Sequence, residues 1–249
     1  MFGFRLSVKC VAGVILAGSM ASGAVALQAQ TARRTRRESS ANRKSRIERT
    51  IAETYGHRYE VAGGGGYLRF QSGSILQKNN EVTFFMTGTY FLNPKLGIIG
   101  DIRGAYGNAK IGNNNCNSPF CPPVFLPFNP QISEYPFLGG VAYRLYAKEK
   151  FAVTATGEGG VALGKFDGGA KGFTSAELGV WQSLTKPAFS LGANFDYNFF
   201  PNLAFRVSPT YVGTFFRLDP TDTQHGPPGT IQNNFGVNAG IVYRFGKIK

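Results

Sequence analysis

The sequence predicts an all-β chain: an eight-stranded antiparallel up-and-down transmembrane β-barrel, preceded by a signal peptide and a basic segment that is flexible or partly helical. Three observations carry that expectation. The N-terminus is laid out as an export signal, the chain beyond residue 58 keeps a period of two, and its connections alternate between short and long. A composition with 33 Gly, 14% aromatic and only 16% charged residues suits many short strands and turns.

The export signal comes first. Arg5 and Lys9 form a positive n-region, "VAGVILAGSMASGAVAL" is apolar but broken by Gly and Ser, and Ala24, Ala26 and Ala29 supply small residues for cleavage after Ala26 or Ala29. Residues 1–29 are therefore expected to be removed. An uncleaved inner-membrane anchor is the alternative, because the stretch approaches spanning length. Cys10 has no lipobox before it. No later segment approaches ~20 consecutive apolar residues.

A basic linker follows, over residues 30–57. The formal charge of +13 is concentrated around it: residues 31–58 carry nine Lys/Arg and three Glu, whereas residues 59–246 carry 14 Lys/Arg and 11 Asp/Glu. The high pI thus describes a short segment and not a fold. Such a segment can grip anionic lipid headgroups or cell-wall polymers, or serve as a solvated linker. Nucleic acid is excluded as a partner for an exported chain. The first half is too poor in apolar residues to fold. In the second half Ser45 and Glu48 have capping-box spacing, Ile47, Ile51 and Tyr55 share a helical face, and Gly56 can end the helix.

Strands are expected at 58–71, 81–92, 96–108, 133–147, 151–165, 188–199, 203–216 and 233–246, with a tail at 247–249. Alternate side chains of a strand point to opposite faces. In "FSLGANFDYNFF" Phe189, Leu191, Ala193, Phe195, Tyr197 and Phe199 share one face, and Ser190, Gly192, Asn194, Asp196 and Asn198 the other. The final strand repeats this, with Phe235, Val237, Ala239, Ile241, Tyr243 and Phe245 against Gly236, Asn238, Gly240 and Arg244; Val242 is its exception. "ISEYPFLGGVAYRLYA" sets Tyr135, Phe137, Val141, Tyr143 and Leu145 against Glu134, Gly140, Ala142 and Arg144.

The connections "NPKLG", "AKEK" and "FPN" are short, and those between them are long, so all long loops fall at one end. "GFTSAELGVWQSL" could be a ninth strand. Single-chain bacterial barrels have even strand numbers. Residues 166–187 are therefore read as a long third loop, with hairpin-like extensions of its flanking strands.

Alternation alone leaves two solvents open for the apolar face: a protein core or lipid. The minority face decides. A soluble barrel would scatter Lys and Glu over it, but here it is Gly, Ala, Ser, Thr and Asn with single charges in mid-strand: Asp101, Arg103, Arg144, Glu158, Asp196, Arg206 and Arg244. That fits a narrow polar lumen, which eight strands leave just wide enough for side chains to fill. The charges can line a pore or gate, or pair into a network that plugs the barrel; in so narrow a lumen the plug is favoured, since buried charges must find partners. Aromatic residues gather beside the short turns, at Tyr90, Phe91, Tyr143, Tyr146, Tyr197, Phe199, Phe200, Tyr243 and Phe245, as a lipid–water girdle would.

Asn238, Gly240, Tyr243 and Phe245 are spaced as polar-x-Gly-x-x-aromatic-x-aromatic, which resembles the C-terminal assembly signal of bacterial outer-membrane barrels, although "GKIK" follows. With "TIQNNFGVNAGIVYRFG" and the hairpin "FDYNFFPNLAFRVSP", residues 58–246 resemble the outer-membrane protein A-like family of small eight-stranded barrels. The resemblance implies an integral outer-membrane protein whose partners are the lipid bilayer and the barrel-assembly machinery.

Chemistry is sparse. Cys116 and Cys121 are the only cysteines beyond the signal and are expected to pair as a disulfide that stiffens the second outer loop. A metal site there lacks partners, since the only histidines are His57 and His225. His225 lies near Asp219 and Asp222, but in a Gly/Pro/Asp-rich loop. No cofactor and no catalytic site are expected. The expected role is structural or surface-interactive, with four loops presented outward. The alternatives are a small solute channel, a rim-site enzyme and a soluble lipocalin-like carrier.

Overall fold

A computed structural model describes residues 39–111, 129–221 and 231–248. Helix α1 spans Ser40–Tyr55 and is followed by β1 (Tyr59–Gln71), β2 (Lys78–Phe91), β3 (Leu96–Asn108), β4 (Gln131–Ala147) and β5 (Phe151–Gly168). A single-turn helix α2 (Ser175–Leu178) precedes β6 (Thr185–Phe200), β7 (Leu203–Thr214) and β8 (Gln232–Phe245). The chain divides into two compact units, Met1–Arg46 and Ile47–Lys249, and the second holds the barrel.

The eight strands close in sequence order into one antiparallel barrel. Closure is made by β1 against β8, in register from Tyr59 opposite Phe245 to Arg69 opposite Phe235. The third loop contains no ninth strand. β5 runs on to Gly168, β6 begins at Thr185, and between them Thr174 and Glu177 form a capping box over α2. That box explains why "GFTSAEL" is not extended: Thr174 Oγ1 accepts the Glu177 N–H, and the Glu177 carboxylate accepts the Thr174 N–H at 2.7 Å.

Two local expectations are corrected. Helix α1 starts one and a half turns before Ser45, because Ser39 is the cap: its Oγ accepts the Asn42 N–H at 3.3 Å. The stretch from Ser40 is therefore helical and not disordered. Phe91 does not belong to the lipid girdle. It is 2% exposed and faces inward, where its ring lies 4.2 Å from the Arg144 guanidinium carbon.

The barrel is inverted with respect to a water-soluble protein. Outward positions are large and apolar, with Val82 72% and Phe200 62% exposed, while Arg244 on the inside is 1% exposed. A continuous apolar exterior around a closed, fully paired sheet is what a bilayer demands. Among the described residues no helix is long and apolar enough to cross a membrane, so strands make the crossing. They are 12–18 residues long, against the ~9–11 that a tilted strand needs to span. The surplus extends the barrel beyond the bilayer and forms the base of the long loops. Val242, the break in the final alternation, points inward and packs with Ala62, Phe85 and Ala204.

The seam between β1 and β8 depends on glycine. A Cβ at Gly64 would stand 2.1 Å from the Ala239 carbonyl oxygen and 2.5 Å from Gly240 Cα, both backbone atoms that cannot swing away. Only a residue without Cβ lets the two strands coil this closely.

Candidate functional site

The interior is built in tiers, and the site is the lumen itself. At the mouth with the short turns, Glu60 of β1 accepts from Arg206 Nη2 at 2.5 Å and from Arg244 Nε at 2.9 Å. Arg144 Nη2 stands 3.7 Å from the same carboxylate. Asp196 accepts from Arg206 Nε at 2.6 Å and from Arg244 Nη2 at 2.8 Å. Three guanidiniums thus share two carboxylates, all buried. Strand phase brings them together, since Asp196 lies opposite Arg206 and Glu60 opposite Arg244 across their ladders.

Tyr55, the last residue of α1, closes this tier from below. Its hydroxyl donates to the Lys148 carbonyl at 2.7 Å and accepts from Asn198 Nδ2 at 2.8 Å. Its ring lies 4.7 Å from the Arg144 guanidinium carbon, a cation–π contact. Burial, the largest influence, pushes the Tyr55 phenol above its ordinary pKa, against the opposing hydrogen bond from Asn198. Asn198 in turn accepts from Arg244 Nη1 at 2.8 Å.

The middle tier holds a separate group. Arg103 Nε donates to Asp101 at 2.6 Å, Nη1 donates to Thr210 at 3.3 Å, and Nη2 stands 3.6 Å from Glu158. A cavity of about 10 Å³ lies here among Asp101, Arg103, Glu158, Asn194 and Arg206. That is room for about one water molecule, not for a solute.

The outer tier is mixed: the buried polar side chains of Asn79, Glu81, Glu134, Thr214, Gln232 and Asn234 share it with an aromatic cluster. Phe70, Phe166 and Phe216 form that cluster, with ring centroids 6.0 Å apart for Phe70–Phe166 and 4.9 Å for Phe166–Phe216. The third loop folds over them. Leu178, Val180 and Trp181 are buried in the same cluster, and the Trp181 indole donates to the Gln71 carbonyl at 2.6 Å. Phe70 and Phe166 lie on the inward phase of β1 and β5, and Phe216 follows two residues past the end of β7, so an apolar cluster interrupts the expected polar lumen at its outer end.

All seven expected lumen charges point inward, but into two clusters: Arg144, Asp196, Arg206 and Arg244 in one, Asp101, Arg103 and Glu158 in the other. Three further acids are buried beyond the seven expected charges: Glu60 and Glu81, which no expectation placed, and Glu134, which was expected on the polar face of its strand but not among the lumen charges. Glu134 sits on the polar phase of β4 and was legible. The Gly63–Gly66 run after Glu60 erases the contrast between faces that marks phase elsewhere.

Of the four residues that resemble an assembly signal, Asn238 and Gly240 point inward, with Asn238 accepting from Thr83 Oγ1 at 2.7 Å. Tyr243 and Phe245 point outward, and Phe245 stacks on Tyr59 at 5.3 Å. Residues 1–29, Cys116, Cys121, Asp222 and His225 lie outside the described residues. His57 sits by the inner mouth, its Nδ1 3.1 Å from the Thr54 carbonyl.

No protein-family model and no curated protein matches the chain. Solved structures do. Neisserial surface protein A is 11% identical, with 75% of this chain and 97% of that one covered and a TM-score of 0.51. The outer membrane protein OprG from Pseudomonas aeruginosa is 15% identical over 77% of this chain and 98% of its own, with a TM-score of 0.48. Ail, the attachment invasion locus protein of Yersinia pestis, is 16% identical over 76% and 99%, with a TM-score of 0.43. At this identity the likeness to the Neisserial protein is one of fold: a small eight-stranded barrel of the outer-membrane type.

Proposed function

We propose that the chain is an integral outer-membrane barrel with a structural or surface-interaction role, and that it works through its outer loops and not through its lumen. The observation that carries this reading is the filling of the lumen in every tier. Tyr55 stoppers the inner mouth, the arginine–carboxylate network occupies the inner half, and Phe70, Phe166 and Phe216 close the outer end. A solute would have to break several buried ion pairs and displace an aromatic core, which leaves the outside of the molecule to do the work. Connections of 72–77, 109–130, 169–184 and 215–231 are presented at one end, on strands that outreach the bilayer. The assembly machinery reads Asn238, Gly240, Tyr243 and Phe245, Cys116 and Cys121 pair to stiffen the second loop, and the basic segment contacts anionic lipid or cell wall.

The test is conductance of the purified barrel in planar bilayers, beside binding of cells or matrix to vesicles that carry it. The reading expects no sustained current, and binding that is lost when the 169–184 connection is shortened. Steady openings of uniform size would replace it with a solute channel.

A further inference from the structure

On the outside of the barrel, at the end with the long connections, β8, β1 and β2 carry a strip of hydrogen-bond donors. Arg69 of β1 stands opposite Asn80 of β2 and Phe235 of β8. It is exposed and has no hydrogen bond or ion pair among the described residues. Lys78 of β2 reaches across β1 and donates to the Asn233 carbonyl of β8 at 2.8 Å. Since Lys78 is the register partner of Gln71, its ammonium is held over β1 one row beyond Arg69, toward the loops.

Two amides complete the strip, and both are turned the same way. The Tyr67 hydroxyl donates to Asn80 Oδ1 at 2.6 Å, and the Tyr211 hydroxyl donates to Asn233 Oδ1. With each amide oxygen engaged by a tyrosine, each side chain presents its Nδ2 hydrogens, which have no partner among the described residues. The groups on offer are a guanidinium, an ammonium and two amide N–H2 groups. No outward position of β8, β1 or β2 holds Asp or Glu, and the acids of these strands, Glu60 and Glu81, face the lumen. Such a surface selects an anion.

Depth says which anion. Tyr59, Tyr90 and Phe245 are register partners in the inner aromatic row. From Tyr59 to Arg69 the strand covers one tilted crossing, about 9–11 residues. Arg69 therefore stands where the headgroups of the far leaflet begin. On the membrane side of the strip the outward residues are apolar, with Val82, Phe84 and Val237 exposed. A free anion matches the donors alone, whereas a lipid matches the donors and the apolar rows together.

We propose that Arg69, Lys78, Asn80 and Asn233 bind the phosphate of an anionic lipid in the outer leaflet, with its acyl chains along Val82, Phe84 and Val237. A guanidinium grips two phosphate oxygens at once, and an ammonium adds a second charge beside it. The strip uses strand residues only, so it does not depend on what the loops bind.

The test titrates the full chain, folded in zwitterionic detergent, with lipid A at low salt, and native mass spectrometry reads the lipid retained per barrel. Wild type should retain a single lipid A and bind its dephosphorylated form about tenfold or more weakly. Arg69→Gln combined with Lys78→Gln should weaken lipid A by about thirtyfold and leave the dephosphorylated form unchanged. Tyr67→Phe keeps every charge but releases the Asn80 amide, and should weaken lipid A by about threefold. Lys165→Gln, which removes an exposed outward cation from β5, should change nothing. Mobility of unboiled protein on gels checks that each variant closes. Equal binding of the two lipid forms overturns the proposal, as does a double variant that binds lipid A like wild type. A loss in Lys165→Gln as large as in the double variant overturns it in favour of a diffuse surface charge. Displacement of lipid A by millimolar inorganic phosphate overturns it in favour of a free anion.

Discussion

Glu60→Gln is the sharpest probe of the inner network, because one carboxylate there serves three guanidiniums. The substitution preserves shape and removes charge. Arg206 and Arg244 contact the carboxylate at 2.5 and 2.9 Å, and Arg144 stands at 3.7 Å. At charge-to-charge separations near 4 Å, each close pair is worth about 4 kcal/mol at an effective dielectric of about 20. The two close pairs give about 8 kcal/mol gross, and relief of the buried carboxylate's desolvation returns several of these. A net loss of about 3–5 kcal/mol remains, the range seen when one partner of a buried pair is removed. Three cations would then face Asp196 alone, and the new amide would turn an N–H group toward guanidinium donors.

Urea unfolding of the barrel in lipid vesicles measures this loss, and the mobility of unboiled protein on gels reports closure. Glu177→Gln is the matched control and should leave the midpoint where it is, since that carboxylate is exposed. A loss for Glu60→Gln below about 1 kcal/mol would refute the argument. The five groups would then be screened by water, and the inner lumen would be a wet vestibule and not a plug.

Tyr55→Phe removes two hydrogen bonds from the inner stopper and should cost about 1–3 kcal/mol by the same titration, at about 0.5–1.5 each. The folded state raises the Tyr55 pKa above its ordinary 10.0, so it holds the phenolic proton more tightly than the unfolded chain does. That stability is complete below pH 10.0 and is lost as pH rises through the folded value. Wild type should therefore weaken above pH 10 more steeply than Tyr55→Phe, and parallel curves would remove the phenol from the stopper. Gly64→Val should abolish the fast-migrating unboiled band, whereas Gly88→Ala, whose Cβ meets nothing within 4 Å, should keep it. Val237→Arg on the lipid face should cost about 2–4 kcal/mol if it lies near the bilayer midplane. A change near zero would move that position out of the membrane.

The outward face was readable because lipid and a protein core ask the same thing of a strand, and the small, sparsely charged second face then told the two solvents apart. Phase also carried more than the mid-strand charges suggest. Phe70 and Phe166 stand on the same phase as Glu60 and Glu158 on their respective strands, and Phe216 continues the alternation of Arg206 just past the end of β7, so an apolar outer cluster was written into the alternation beside the inner network. Two kinds of feature resisted. Glu60 precedes four glycines that show no face, and the start of α1 turned on a single serine hydroxyl that composition does not weigh. The pairing of charges was beyond reach for a further reason: register decides it, and register comes from closure of the whole ring. Once register is known, the glycines become informative. Arg206 lies opposite Gly240 and Glu158 opposite Gly140, so a long inward charge sits beside a residue with no side chain. An eight-stranded barrel has no spare volume, and a large side chain can enter only where its neighbour withdraws. The inward glycines serve this end in different ways: a Cβ at Gly107 would meet Glu81 Cγ and one at Gly164 the Phe166 and Phe216 rings, whereas at Gly140 and Gly240 it would first meet the backbone of the adjoining strand.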